Sequence, residues 1–504
     1  MPESPRKESG SVPWKSRLRM GETFKDEAPP IYKLPDDILR CIFLLNSMNS
    51  VMSSSQVCQR WRTAALQNRK VWLRFIDWIY SPLAWIEELL RRSDPCLFDF
   101  GDFNRGEMIE LAARFRVGRR DDDVLSLILG RTTRLRSFCV KTTYSGVDSV
   151  VSSLISCPVP NLEYLGLLVV DKRGAPEILS FDLRSPLLRH LHLGQLPVGI
   201  VPKSILLPLV TFRFTRGHTE IGFYMVAEWL GILADMPALQ HLVIEDMMVL
   251  DTDAPAEALS MVHLDHLETL VVNGPFHETM TLLSCLTLPP RCSFDLSMSS
   301  SVLGPDERTL ATLLERHLSS WGQDSPLRAL LAYYKPGQIL FTNKHRLLKE
   351  EHLLTRRCVP LAKDDPLFCI ELFLGPMQDR VQESLRLFFF LFRVYSPTFP
   401  TTKILSLGIA TNRRELRDPF IRLVHDYFHL FATLHTFEVR GSPGSLVLPL
   451  LQLASSSADE SLSPNRRMLF PGLKTVLHTL YTPLIDEYAT WRARQGFPVE
   501  VLAC

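Results

Sequence analysis

The sequence predicts an α/β chain: a small N-terminal helical module followed by an irregular α/β solenoid, a horseshoe of stacked strand–helix units. Three observations carry this expectation. Apolar triplets spaced Φ-x-x-Φ-x-Φ recur between residues 135 and 272, helical patterns separate them, and a run of short amphipathic helices from Leu34 to Ile76 comes first.

At 504 residues the chain exceeds the ~250–300 residues at which one core stops growing, so several domains or a repeat array are expected. Apolar residues make up 46% and charged residues 22%, as in an ordinary soluble protein. A net charge of +1 argues against a dedicated nucleic-acid or membrane-surface binder, which carries a basic excess. Arg114 to Arg120 is basic, but Asp121 to Asp123 follow at once, so it reads as a solvated helix end or loop. Ten cysteines show no C-x-x-C pair and no regular framework, which fits a reducing compartment and excludes a zinc ribbon or disulfide scaffold. No apolar run is long enough to span a bilayer, and the N-terminus lacks the apolar core of a secretory signal. A soluble protein of cytoplasm or nucleus is expected. Residues 1–30 are polar, Pro-containing and without periodicity, and are read as a disordered tail.

The helical module is assigned to residues 31–80. Pro35 suits a first helical turn, and Asp36 and Asp37 place negative charge at the positive end of the helix dipole. Ile38, Leu39, Ile42 and Phe43 make an apolar stripe. Ser53 to Ser55 supply N-cap candidates for a second helix, in which Val57, Cys58, Trp61 and Ala65 form a stripe flanked by Arg60 and Arg62. A third piece carries Val71, Trp72, Phe75 and Ile76. Helices this short enclose little core, so their surplus apolar surface meets the rest of the chain or a partner. Periodicity alone favours a helical cap on the larger domain.

The order of the anchors points elsewhere. Leu34-Pro35, Ile38-Leu39, Ile42-Phe43, Val57-Cys58-x-x-Trp61 and Val71-Trp72 together resemble the F-box, a small helical module that docks on the Skp-type adaptor of SCF ubiquitin ligases. The stretch from Asn46 to Ser55 departs from the family in being polar, with Met48, Val51 and Met52 in place of leucines. The resemblance implies an adaptor-binding set of Leu34, Pro35, Ile38, Leu39, Ile42, Phe43, Val57, Cys58 and Trp61. Arg60 and Arg62 would lie on its rim, Trp61 would be shared between core and interface, and Trp72 would cap the far end. A cullin would join through the adaptor.

Residues 81–504 are assigned to the repeat array. Leu83 to Arg92 reads as an amphipathic helix and Cys96 to Phe100 as a first strand. The triplets are Leu135/Phe138/Val140, Leu162/Leu165/Leu167, Leu188/Leu191/Leu193, Leu209/Phe212/Phe214, Leu239/Leu242/Ile244 and Leu267/Leu270/Val272, 21 to 30 residues apart. These intervals fall in or close to the roughly 20–29-residue period of leucine-rich repeats. The second and third positions alternate as in a half-buried strand, and the first lies in the turn before it. Helical patterns follow at Asp148 to Ile155, Ile221 to Leu233, Ala254 to Val262 and Thr279 to Leu286. Units that cannot bury a face alone stack on their neighbours, with strands on the concave side and helices on the convex side.

Beyond this the array loosens. Arg291 to Leu296 and Gln338 to Phe341 read as strands, and Asp306 to Trp321 as a helix. The triplets Leu367/Ile370/Leu372, Ile404/Leu407/Ile409 and Leu434/Phe437/Val439, with Leu473/Val476, return at intervals of 30 to 39 residues. Helices are expected at Met377 to Tyr395 and Pro419 to Ala432, a surface loop at Gly441 to Ser463, a last helix from Pro483 to Gln495 and a closing strand from Phe497 to Ala503. This ending, with Trp491-Arg492-x-Arg494, resembles the last unit of fungal F-box proteins with leucine-rich-like repeats.

Little here suggests bond chemistry. His425 and His429 stand at i and i+4, but in place of H-E-x-x-H the chain has H-D-x-x-H, whose shorter acid would retract the general base. His190 and His192 belong on one strand face, opposite the leucines; His263 and His266 belong to a strand or turn unit. No phosphate-binding glycine loop and no G-x-S-x-G occurs, and Asp364-Asp365 lack an evident partner. The sequence therefore implies a non-catalytic protein with no cofactor or metal. Its partners would be a Skp-type adaptor, a cullin through it, and an unidentified protein substrate held by the repeats. Nucleic acid and membrane are not expected. The rival is a repeat scaffold without a ligase role, its helices acting only as a cap.

Overall fold

A computed structural model describes residues 34–101, 109–110, 120–169, 181, 183–196, 201–215, 224–245, 248–249, 259–289, 292–299, 310, 312, 314–315, 329–335, 338–342, 368–373, 381–409, 422, 426–441, 470–478 and 483–503. The chain divides into two compact units that meet between Cys96 and Leu97. The expected boundary at residue 80 therefore falls inside the first unit, and helix Leu83–Arg92 belongs with the N-terminal helices.

Among the described residues, that first unit holds five short helices: α1 (Asp36–Leu45), α2 (Met48–Ser54), α3 (Gln59–Gln67), α4 (Arg69–Arg74) and α5 (Leu83–Arg92). Pro35 precedes α1, with Asp36 and Asp37 in its first turn. The polar middle of the module holds a helix of its own, and it takes in Ser53 and Ser54, expected as N-cap candidates. Ser47 caps α2 by accepting from the Ser50 backbone N–H, so Ser53 and Ser54 close α2 and do not start the next helix. Cys58 sits at the N-cap of α3. Leu39, Phe43, Val51, Trp61, Ala64, Ala65 and Val71 enclose a core of their own, with Leu34, Leu44, Cys58 and Phe75 packed against it. Trp72 does not cap an open end: its indole N–H donates to Leu66 O at 3.1 Å, and the Arg92 guanidinium of α5 lies over its ring at 4.7 Å.

The second unit is built on a sixteen-stranded sheet. Its main path uses β1 (Phe98–Phe100), β2 (Leu135–Thr142), β3 (Tyr164–Val169), β4 (His190–Gly194), β5 (Thr211–Thr215), β6 (His241–Glu245), β7 (Thr269–Pro275) and β8 (Ser293–Ser299). It goes on through β9 (Ala329–Lys335), β10 (Gln338–Thr342), β11 (Phe368–Phe373), β12 (Ile404–Ile409), β13 (Thr436–Gly441), β14 (Thr475–His478) and β15 (Glu500–Ala503). Strands β1 to β8 pair in parallel and in chain order. From β2 to β8 the apolar pairs face one another across every step: Phe138, Leu165, Leu191, Phe212, Leu242, Leu270 and Phe294 share one row, and Val140, Leu167, Leu193, Phe214, Ile244, Val272 and Leu296 the next. All fourteen are buried, as are the turn positions Leu162, Leu188, Leu209, Leu239 and Leu267. Helices α6 (Arg120–Leu129), α7 (Tyr144–Ser156), α8 (Val226–Ala234) and α9 (Phe276–Ser284) lie between strands in sequence. Trp229 of α8 meets the Phe214 ring edge-on at 5.2 Å.

The second half departs from the parallel, sequential pairing of the first. After β8 the order runs β11, β10, β9 and then β12. Strand β10 is antiparallel to both β9 and β11, and β9 was not expected from the sequence. Phe341 of β10 is held by Phe388, Phe392 and Tyr395 of α10 (Val381–Tyr395), with ring centroids 5.1 to 5.7 Å away. The triplet at Ile404 is out of register by two residues. Leu405 and Leu407, not Leu407 and Ile409, pair with Phe437 and Val439, and buried Thr402 takes the turn position. Residues 259–261 are not helical, and Val262–His263 pairs with Leu286–Thr287 as a short strand. The expected helix Asp306 to Trp321 and loop Gly441 to Ser463 lie largely outside the described residues, as do the tail 1–30 and most of Arg114 to Arg120. Of Pro419 to Ala432, the 3-10 turn Phe428–Leu430 is the clearest described part.

At the C-terminus α11 (Pro483–Arg494) stops at Gly496, whose φ of +86° suits glycine. Arg492 is fully buried. Its guanidinium donates to Phe497 O, to Tyr488 Oη and to Leu473 O, at 3.3, 3.4 and 3.5 Å. It thus ties the helix to the loop after it and to the turn before β14.

Because each triplet leucine fills a space its neighbours shape, truncation should cost transfer energy plus a cavity. Leu242→Ala in β6 is predicted to lose about 2–5 kcal/mol. The urea midpoint should fall with little change in the slope of the transition.

Candidate functional site

Helix α1 carries two apolar stripes one residue apart. Leu39 and Phe43, four apart, point inward and are buried. The Phe43 ring meets Trp61 edge-on with centroids 5.7 Å apart. Ile38, Ile42 and Leu45 stand at i, i+4 and i+7 on the neighbouring side: Ile38 is 43% and Leu45 84% exposed, while Ile42 is half-buried. Met52 of α2, Val57 before α3 and Leu66 of α3 are also outward, at 52%, 61% and 51%.

The nine residues of the expected docking set therefore divide. Leu39, Phe43 and Trp61 form the unit's core, and Leu34 and Cys58 pack against it. Pro35, Ile38 and Val57 are exposed, with Ile42 between the two groups. Phe43 in particular is a structural residue and offers no surface to a partner. Leu45 and Leu66, outside the expected set, are exposed on the same unit, and so is Met52 of the polar middle. The heptad-like step from Ile38 to Leu45 was the signal for the first.

Arg60 does more than line a rim. Its guanidinium forms an ion pair with Asp36 at 2.7 Å and donates to Leu34 O, so α3 holds the start of α1. Asn68 Nδ2 donates to Arg40 O at 3.0 Å, and Arg62 Nε to Ser55 O at 3.3 Å. These bonds fix the segment that presents Pro35 and Ile38. The Arg60–Asp36 pair is largely exposed, so its role is geometric more than energetic.

The second unit has its own polar surface, on the side of the sheet opposite the leucines. His190 and His192 of β4 both face it. The Tyr164 ring stacks on His190 with centroids 4.2 Å apart and planes within 5°. His190 Nδ1 shares a hydrogen bond with Thr211 Oγ1 at 3.0 Å, and His192 Nε2 one with Thr215 Oγ1 at 3.2 Å. Burial, reinforced by His241 and the Arg189 guanidinium nearby, pushes His190 down to about 4. Burial and the Arg213 guanidinium push His192 down to about 3. Both rings are neutral at physiological pH.

Among the described residues no cluster of three metal-binding side chains occurs. His425 lies outside them, His429 is exposed, and so are His263 and His266. Among the described residues, Cys41, Cys58, Cys96, Cys139, Cys157, Cys285 and Cys292 form no disulfide. No described helix is long and apolar enough to cross a membrane.

Residues 31–76 match the F-box-like family model, a stretch that spans α1 to α4 and their core. No curated protein matches the chain. The comparison thus supports an F-box protein: an F-box-like helical region, of a family that generally binds Skp-type adaptors, followed by an α/β body with a mostly parallel sheet.

Two outcomes follow. Phe43→Ala should destabilise the helical unit by about 3–5 kcal/mol, whereas Ile38→Ala should change it by less than about 1 kcal/mol; limited proteolysis between α1 and α5 measures the difference. Next, the unfolded chain takes up protons at His190 and His192 below about pH 6.5, while the folded pKa values are about 4 and about 3. The contribution of the neutral rings is complete above pH 6.5 and is lost as the pH falls toward those values. Replacing both histidines with Asn should flatten the stability profile between pH 6.5 and 4 relative to the parent chain.

Proposed function

We propose that this chain is the substrate-recognition subunit of an SCF-type ubiquitin ligase. The helical unit docks a Skp-type adaptor, and through it a cullin, while the strand array holds a protein substrate. The observation that carries the reading is the F-box-like match over residues 31–76, together with outward Ile38, Leu45, Met52 and Val57 on a unit that already has a closed core. Apolar side chains left outside a satisfied core are the raw material of a protein interface. A helical segment acting only as a solenoid cap is the weaker reading, because these helices bury Leu39, Phe43 and Trp61 among themselves.

The array itself we read as leucine-rich-repeat-like, supported by the in-register apolar rows of β2 to β8. The antiparallel β9–β10–β11 stretch interrupts it. The end of the chain, with buried Arg492, is consistent with the fungal F-box type of last unit. No residue here need make or break bonds. Holding a substrate beside a charged ubiquitin-conjugating enzyme makes the transfer effectively intramolecular. The protein is then non-catalytic and works in cytoplasm or nucleus without cofactor.

The test is co-purification with a Skp-type adaptor. Ile38→Asp with Val57→Asp should abolish adaptor and cullin recovery while the melting temperature stays that of the parent. Undiminished recovery from that soluble, folded double variant would remove the ligase reading.

A further inference from the structure

The main path of the sheet in the second unit ends at β1 and at β15, and the two ends are finished differently. Strand β1 is three residues long, with a register shift between Phe98 and Asp99. Asp99 is tied to the Arg136 guanidinium of β2, and Phe98 and Phe100 are buried. A short, irregular strand that carries charge is one way proteins keep an edge from pairing with another chain. Strand β15 has none of these devices except brevity. It pairs with β14 in parallel, and among the described residues no strand lies on its far side. Val499 to Ala503 contains no proline and no lysine, and Glu500 is its one charge. Glu500 and Ala503 are exposed, Leu502 is 42% exposed, and Phe497 just before the strand is 41% exposed.

The backbone of β15 is half used. Glu500 N–H donates to Lys474 O, on the β14 side, at 2.9 Å. Hydrogen-bonding groups of successive strand residues point to opposite sides, so the N–H and C=O of Val501 face the open edge. Val501 continues the apolar row of Phe437 and Val476, and Leu502 lies on the opposite face beside Leu477. A strand that completes this edge has to present apolar side chains on both faces and unused backbone groups between them. Of the two strands that end the path, β15 alone meets both conditions. Its complement is its own copy.

Independently of the ligase reading, we propose that two copies of this chain join through β15, antiparallel and about a two-fold axis at Val501. The same patch on both copies makes a closed, isologous contact. A contact from β15 to β1 would instead repeat head to tail into an open filament, which the blunted β1 opposes. Val501 faces Val501 of the second copy, and the pair exchanges two backbone hydrogen bonds. An axis normal to the sheet keeps both valines on the apolar side. It also sets Glu500 of each copy opposite Leu502 of the other, so no like charges meet. With four strand residues from each copy the contact is small, and the dimer depends on protein concentration.

Sedimentation equilibrium of the full chain across the micromolar range tests this. The parent should pass from monomer to dimer as concentration rises. Leu502→Glu places a second carboxylate opposite each Glu500 and should weaken association about tenfold. Leu502→Lys places an ammonium there instead and should keep association at the parent's level or strengthen it. Glu500→Lys combined with Leu502→Glu should restore the dimer. Opposite responses to opposite charges at one exposed position do not arise from damage to the fold, and the melting temperatures should match the parent's. A parent that stays monomeric throughout overturns the proposal in favour of a strand from another protein. A dimer that Leu502→Glu leaves intact, or that both single variants weaken alike, overturns it too. Species that grow beyond the dimer with concentration overturn it in favour of an open array.

Discussion

In-register parallel pairing is the constraint on which the second unit rests. Side chains alternate along a strand, so a slip of one residue would turn every leucine of that strand to the wrong side. From Phe138 to Leu296 no such slip occurs, and apolar residues face apolar residues at each of six successive strand pairings. The turns before the strands enforce it: His190 N donates to Glu163 O, Thr211 N to Arg189 O, His241 N to Val210 O and Thr269 N to Gln240 O. The same lock determines the opposite face. The residue between the two inward positions always falls in one row, which reads Cys139, Gly166, His192, Arg213, Val243, Val271 and Asp295. Each repeat thus writes one letter of that surface.

What the sequence reveals of this unit follows from what period two can and cannot encode. The six regular triplets are legible because a leucine pair plus a turn leucine is a distinctive spacing. Strand β9 is not, because its inward residues are Leu330, Ala332 and Tyr334, a small and an aromatic side chain where leucines would be sought. The direction of β10 is hidden for a different reason: alternation reads the same forwards and backwards, so Ile339 and Phe341 serve an antiparallel strand as well as a parallel one. The two-residue error at Ile404 has a similar origin. Leu405, Leu407 and Ile409 alternate together, and a shift of two keeps the same side chains inward. Only the partner strand, and Thr402 in a place usually held by leucine, decide between the registers.

In the helical unit the ambiguity is angular. Successive residues on a helix are about 100° apart, so Ile38/Ile42/Leu45 and Leu39/Phe43 are adjoining stripes and the sequence shows a single broad apolar face. A unit of this size can close over one of them. Which one is chosen depends on its neighbours: Ala64 and Ala65 on α3 are small enough to admit Phe43 and Trp61 edge-on. The anchor order was legible, and so was the start of α1 at Pro35. The division of the anchors between core and surface was not, since it is a property of three helices at once. The Arg60 link to Asp36 and Leu34 was equally invisible, because it joins residues 24 and 26 positions apart.

The choice of histidine on the strand face has an electrostatic logic. Side chains on neighbouring strands stand close enough that like charges opposite each other are destabilising. With His190 at about 4 and His192 at about 3, neither ring adds a positive charge beside Arg213 at neutral pH. Each still offers a ring nitrogen to a threonine hydroxyl, as Thr211 and Thr215 show. A lysine at either position would set a second fixed cation next to the first and repel it. The imidazoles therefore allow a dense polar row while leaving Arg213 as the local source of positive potential. Glu245 offsets part of that potential across a long contact, so the row stays packed without a second fixed cation beside Arg213.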